Sequence, residues 1–344
     1  MGIQLKSDSE ILHYIATENP ADMDVLFNEA CLVRRQYYGN DVYFRGLIEF
    51  TNYCRNNCYY CGIRLGNDKI MRYRLDLEEI LTCCRIGADL GFQTFVLQGG
   101  EDSYFTDEKM IEMITEIHRR FPQQAITLSI GEKTKESYEA FYKAGAVRYL
   151  LRHESADRTH YDQLHPQNMN FANRKQCLLD LKSIGYQVGA GFMVGSPFQT
   201  PENLLADLRF LQYLKPQMVG IGPFISQKDT PFGMYSCGSV EMTLRLIALV
   251  RLLLPEALIP ATTALASISS EGCEKALLVG ANVVMPNLSP IHVRKQYALY
   301  DNKAYTENEA AENLLSLKQK IQKIGFVPNM ARGDYNKKRV SQND

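Results

Sequence analysis

The sequence predicts an α/β chain of the (β/α)8 TIM-barrel type with helical N- and C-terminal extensions. Eight short, β-rich apolar runs recur along 344 residues, amphipathic stretches separate them, and no Pro-, Gly- or Ser-rich linker interrupts the series. Apolar strands alternating with helices call for a parallel sheet covered by helices. Eight regular repeats suit a closed barrel better than a doubly wound open sheet, the structural alternative.

In chain order the expected strands are Gly46–Phe50, Thr94–Gln98, Ala125–Ser129, Val147–Leu151, Gln187–Met193, Met218–Gly222, Leu258–Thr262 and Asn282–Met285. Helices are expected over Asp76–Leu90, Asp107–Arg120, Asn170–Ile184, Pro201–Tyr213, Val240–Leu254 and Ser269–Val279. Thr106 reads as an N-cap, with acidic residues in the first turn behind it. Residues 1–45 read as a helical N-terminal extension of two helices, 46–300 as the barrel, and 301–344 as a C-terminal helix (307–325) and tail packed on it. The polar end, Arg332–Asp344, is expected to fray.

Hydrophobic residues at 45% and charged residues at 22% are those of a chain with a sizeable core, not of a disordered one. Lys and Arg total 38 against 39 Asp and Glu, so no global field draws the protein to nucleic acid or anionic lipid. Any anionic ligand must be met locally. With no signal peptide and no membrane-spanning run, a cytoplasmic location is expected, where the nine cysteines stay thiols or metal ligands.

Three of them follow the first strand as Cys54-Arg55-Asn56-Asn57-Cys58-Tyr59-Tyr60-Cys61. Thiolates spaced C-x3-C-x2-C suit three irons of a cubane and leave the fourth open, whereas a closed zinc site wants four protein ligands. The loop after a barrel strand is also where such folds build active sites. A zinc knuckle completed by a distant residue, in a binding module without catalysis, is the bland alternative. Cys31, Cys83, Cys84, Cys177, Cys237 and Cys273 read as buried apolar thiols.

This motif, with Tyr60 before its last cysteine, resembles the signature of radical S-adenosylmethionine (SAM) enzymes. Ile48–Arg64, Arg152-His153-Glu154, Gly189–Gly195, Ile221–Ile225, Ile259–Leu265 and Gly280–Asn287 together resemble the HydE family of [FeFe]-hydrogenase maturases. Biotin synthase and methylornithine synthase are similar in pattern. The resemblance implies a [4Fe-4S] cluster on Cys54, Cys58 and Cys61, whose open iron chelates SAM and cleaves it to a 5'-deoxyadenosyl radical. It further implies a reductant such as ferredoxin or flavodoxin, and an iron carbonyl cyanide complex as substrate. The companion maturase HydG would supply that complex and HydF would receive the product. No second cluster is expected, since residues 274–344 contain no cysteine. An organic substrate is the alternative, prompted by Ser196-Pro197-Phe198-Gln199-Thr200 where the family would carry Leu-Pro-Gly-Gln-Thr.

Tyr60, Gln98, Gly99, Gly100, Glu101, Ser129, Glu154, Arg174 and Met193 are the expected SAM contacts, although the family usually has Ser at the position of Gly99. Glycines at a strand end let backbone approach a ligand, as an ordinary βα turn also would. Arg148, Arg152 and Glu154 share one strand face by their even spacing, and charged side chains inside a barrel need a partner or a ligand. The resemblance implies that Arg148 and Arg152 face the substrate; a structural ion-pair cluster is the alternative. Met218, Thr262, Thr263, Met285 and Tyr300 join the substrate wall by resemblance alone. The glycine run Gly189–Gly195 lies within a strand rather than opening a helix, which argues against a dinucleotide loop. His153, His118, His160, His165 and His292 read as packing or surface residues.

Overall fold

The computed structural model describes residues 3, 5–304 and 310–335. Eleven strands appear among them: β1 (Asp41–Phe44), β2 (Gly46–Thr51), β3 (Thr94–Gly99), β4 (Ala125–Ser129), β5 (Ala146–Leu150), β6 (Gln187–Ala190), β7 (Met193–Val194), β8 (Met218–Val219), β9 (Gly222–Pro223), β10 (Val283–Val284) and β11 (Val327–Asn329). Strands β2-β3-β4-β5-β6-β8 form one sheet, parallel at every pairing. Isolated parallel bridges carry the circuit onward, from Met218 to Leu258, from Pro260 to Val283, and from Asn287 back to Leu47. The barrel is thereby closed, with Leu258–Thr262 a stave held by bridges rather than a regular strand.

Two expected strands are split. Gly191, at φ +155, interrupts Gln187–Met193, and a Cβ there would lie 1.9 Å from the Gly220 carbonyl oxygen. The backbones of neighbouring staves touch at that point, so only glycine fits. Beyond it the upper halves pair again as β7 with β9.

Most expected helices form within a residue or two of their bounds, with side-chain caps: Asp76 before Leu77–Asp89, Thr106 before Asp107–Arg120, Asn170 before Phe171–Ile184, Thr200 before Pro201–Leu214 and Ser239 before Val240–Leu253. Each cap satisfies an N-terminal N–H that the helix leaves open. The expected helix Ser269–Val279 shortens to Gly272–Leu278, preceded by another at Thr263–Ile268. Helices Lys135–Ala144 and Arg158–Leu164 were not anticipated.

In the N-terminal extension, Asp8–Ala16 and Pro20–Tyr38 are the two expected helices, but residues 41–44 are strand β1. That strand pairs in parallel with β10 on one side and β11 on the other. The C-terminal helix is seen over Ala310–Lys323, while 307–309 of the expected span lie outside the described residues.

The tail requires a correction. Arg332–Tyr335 does not fray but lies against the N-terminal end of the barrel, where Asp334 Oδ1 accepts from Arg148 Nη2 at 2.6 Å. A buried guanidinium supplies the anchor that composition alone does not show. Residues 336–344 lie outside the described residues. Among the described residues no helix is long and apolar enough to cross a membrane.

Candidate active site

The loop after β2 carries Cys54, Cys58 and Cys61 to the C-terminal mouth of the barrel, where they line a cavity of about 290 Å³. Arg72 staples this loop: its Nη1 donates to the carbonyls of Asn52 (2.5 Å) and Ile63 (2.9 Å), and its Nη2 to those of Arg64 (2.7 Å) and Asn67 (3.0 Å). From the neighbouring strand, Gly100 meets the loop so closely that a Cβ would lie 2.2 Å from Tyr53 O and 2.7 Å from the Cys54 Cβ. The segment after the last stave roofs it, with Gly62 N–H donating to Leu299 O at 2.7 Å. Three remote segments hold the cysteines in place.

Burial raises the Cys54 thiol, lifts Cys61 to about 12 and pushes Cys58 well above its ordinary value; neighbouring thiols add to the shift in Cys58 and Cys61. Thiolates become stable in such a place when cations bind them, which is the chemistry of a metal ligand. Among the described residues no three His, Cys, Asp or Glu side chains converge on one ion. A cubane places its thiolates on separate irons, so this donor set fits a cluster better than a single zinc.

Across the cavity, Arg152, Glu154 and Arg174 present buried polar atoms with no hydrogen-bond partner among the described residues: Arg152 Nε and Nη2, Glu154 Oε2 and Arg174 Nε. Arg152 Nη2 stands 3.2 Å from Glu154 Oε2, and Arg174 Nε 2.9 Å from Glu132 Oε1, without hydrogen-bond alignment. Burial disfavours the Arg174 charge, yet Glu132, Tyr161 and Glu101 outweigh it and hold the guanidinium well above its ordinary value. Arg174 is charged at every working pH. Cations and a carboxylate left partly unpaired suit a zwitterionic ligand such as an amino acid sulfonium.

Of the expected SAM contacts, Tyr60, Gln98, Gly99, Gly100, Glu101, Ser129, Glu154, Arg174 and Met193 all line this cavity. Tyr60 donates its hydroxyl to His165 Nε2 at 3.1 Å, because His165 Nδ1 is turned to Tyr161 O at 2.9 Å. Burial lowers His165 to about 3, so the ring stays neutral and accepts. Glu101 is partly committed to the protein, accepting from Glu132 N–H at 2.9 Å and from Arg55 Nε at 3.2 Å.

Of the residues expected at the substrate, Arg152, Thr262 and Tyr300 line the cavity, and the Thr262 hydroxyl is buried without a hydrogen-bond partner among the described residues. Four expected residues do not. Arg148 faces inward like Arg152 but four residues lower, about 13 Å along the strand, and is fully buried against Thr94, Arg332 O and Asp334. Met218 lies at the same end, its sulfur accepting from Arg45 at 3.0 Å. Thr263 and Met285 line a different cavity, beside the helix Ala310–Lys323. Even spacing identifies a face and is silent on depth. Residues that the sequence reading missed include Gly131, Leu150, Phe224, Ile225, Tyr297 and Leu299. Phe224 and Ile225 lay within a quoted motif, whereas the others carried no local signal.

A parallel barrel with three cysteines on the loop after its first stave, facing charges with incomplete hydrogen bonding across one cavity, defines a radical SAM enzyme. The model of the Radical SAM superfamily matches residues 48–211. The [FeFe] hydrogenase maturase subunit HydE of Thermotoga maritima is 43% identical over 305 residues, 89% of this chain and 87% of the relative. 3-Methylornithine synthase of Methanosarcina acetivorans is 29% identical over 95% of this chain and 91% of that enzyme. The crystal structure of methylornithine synthase (PylB) superposes with a TM-score of 0.84 at 27% identity, covering 95% of each chain. The chain belongs to the HydE family of radical SAM maturases.

Proposed function

We propose that this protein uses a [4Fe-4S] cluster on Cys54, Cys58 and Cys61 to cleave SAM, and acts in assembly of the [FeFe]-hydrogenase diiron centre. The carrying observation is the cysteine loop facing Arg152, Glu154 and Arg174 across one cavity, together with the likeness to HydE. When bound, the reduced cluster supplies the electron that converts SAM to methionine and a 5'-deoxyadenosyl radical.

The protein's own groups orient the reactants. Arg174 holds the methionine carboxylate, Glu154 and Ser129 take polar atoms of SAM, and Gln98–Glu101 offer strand-end backbone. Tyr60 and Met193 close the cluster side. Arg152, Thr262 and Tyr300 meet an anionic iron carbonyl cyanide complex received from HydG, and the product passes to HydF. Leu150, Phe224, Ile225, Tyr297 and Leu299 make the remaining wall apolar, which keeps water from a reactive intermediate. A ferredoxin or flavodoxin reduces the cluster.

Anaerobic reconstitution should load about four irons per chain. Alanine at all three cysteines should remove both the iron-sulfur absorbance and 5'-deoxyadenosine release, leaving no second cluster. The protein should also replace HydE in a maturation mixture that activates [FeFe]-hydrogenase. Failure there, with formation of 3-methylornithine instead, would assign the organic-substrate reading.

A further inference from the structure

Glu154 is one of four described non-glycine residues in the left-handed backbone region, at φ +64, and it alone of these lines the active-site cavity. That conformation is disfavoured for a residue with a Cβ and persists only where surrounding structure enforces it. Its own backbone contributes one restraint, Glu154 N–H to Gly191 O at 3.1 Å. The others come from behind the barrel wall. His153 points outward and sets its Nε2 3.2 Å from Asp207 Oδ1, on the helix Pro201–Leu214; neither side chain is exposed. The same oxygen accepts from the Ala156 N–H at 2.5 Å, so one carboxylate grips the chain on both sides of Glu154 and Ser155. Ala156 is gripped at its other end too, its carbonyl accepting from Lys175 Nζ at 3.0 Å, next to Arg174 in sequence.

This arrangement is costly if it serves packing alone. Asp207 Oδ2 and His153 Nδ1 are buried without hydrogen-bond partners among the described residues, a state that an apolar pair of similar volume would avoid.

We propose that His153 and Asp207 are positioning residues that hold Glu154 in its left-handed conformation and so aim its carboxylate at SAM. The inference rests on the reading of Glu154 as a SAM contact. Neither residue touches the cavity, so their effect reaches SAM only through Glu154.

The test is a double-mutant cycle on reconstituted holoenzyme, reading iron content, Tm, and the KM and kcat for SAM in 5'-deoxyadenosine release with dithionite. Glu154→Gln is expected to raise the SAM KM about tenfold, the loss of one charged hydrogen bond. Asp207→Asn should raise it similarly with iron content unchanged, and the double variant should be no worse than Glu154→Gln alone. His153→Gln keeps a donor near the Nε2 position and should stay close to wild type, whereas His153→Leu should match Asp207→Asn. Multiplying effects in the double variant would overturn the proposal. So would lowered Tm with unchanged SAM KM in Asp207→Asn, or in His153→Leu should Asp207→Asn not fold. An unchanged SAM KM in Glu154→Gln would remove Glu154 from the SAM site, and the positioning role with it.

Discussion

Single atoms decide what the site tolerates. At Gly99 a Cβ would stand 2.7 Å from Thr51 Cγ2 and 3.3 Å from the Phe50 ring. Gly99→Ser is expected to cost about 1–3 kcal/mol through overpacking, read as a lower midpoint in urea. Combining it with Thr51→Ser, which deletes Cγ2 but keeps the hydroxyl that donates to Asp102 at 2.7 Å, should recover most of the loss. His165 offers a pH test. Burial holds it at about 3 in the folded protein, whereas an unfolded histidine titrates near 6.5, so below about 6.5 the unfolded chain binds a proton that the folded one refuses. Its contribution is therefore whole above that pH, and falls by about 1.4 kcal/mol per pH unit as pH drops toward 3. Urea unfolding of wild type and His165→Gln between pH 7 and 5 should show the extra slope in wild type only.

Among the elements, the cysteine loop is irregular backbone whose shape depends on Arg72. Arg72→Met keeps the apolar stem but removes donors to four carbonyls. Iron retained after reconstitution should fall roughly twofold or more, while the far-UV circular dichroism of the barrel stays unchanged. Equal iron loading in the variant would show that the cluster ligands organise the loop without it. Most helices were legible because their signals are local: the expected cap Thr106 lies three residues from the Lys109 N–H that it caps. Strand breaks at Gly191 and the bridged stave Leu258–Thr262 were not. They arise where neighbouring staves meet, and residues distant in sequence determine that fit.

Across the whole molecule, the two ends of the barrel do different work. Among the described residues, charges at the C-terminal mouth are left partly unpaired, while at the other end the segment Arg332–Tyr335 returns to pair Asp334 with Arg148 across 186 residues of sequence. Asp334→Ala should therefore destabilise the fold by about 2 kcal/mol, a Tm loss of several degrees, with iron content and the SAM cleavage rate of the folded enzyme unchanged. A selective loss of SAM cleavage would return Arg148 to the active site. The sequence alone determined the barrel class, most of the helices, the Thr106 cap and the three cysteines with most of the expected SAM contacts that line the cavity with them, because periodicity, capping and ligand spacing act over a few residues. Only the tertiary structure separated Arg152 from Arg148, moved Met218, Thr263 and Met285 off the cavity, and placed His153 against Asp207. Two-residue periodicity assigns a strand residue to a face, but its depth and its partners depend on how distant staves and the returning tail close around it.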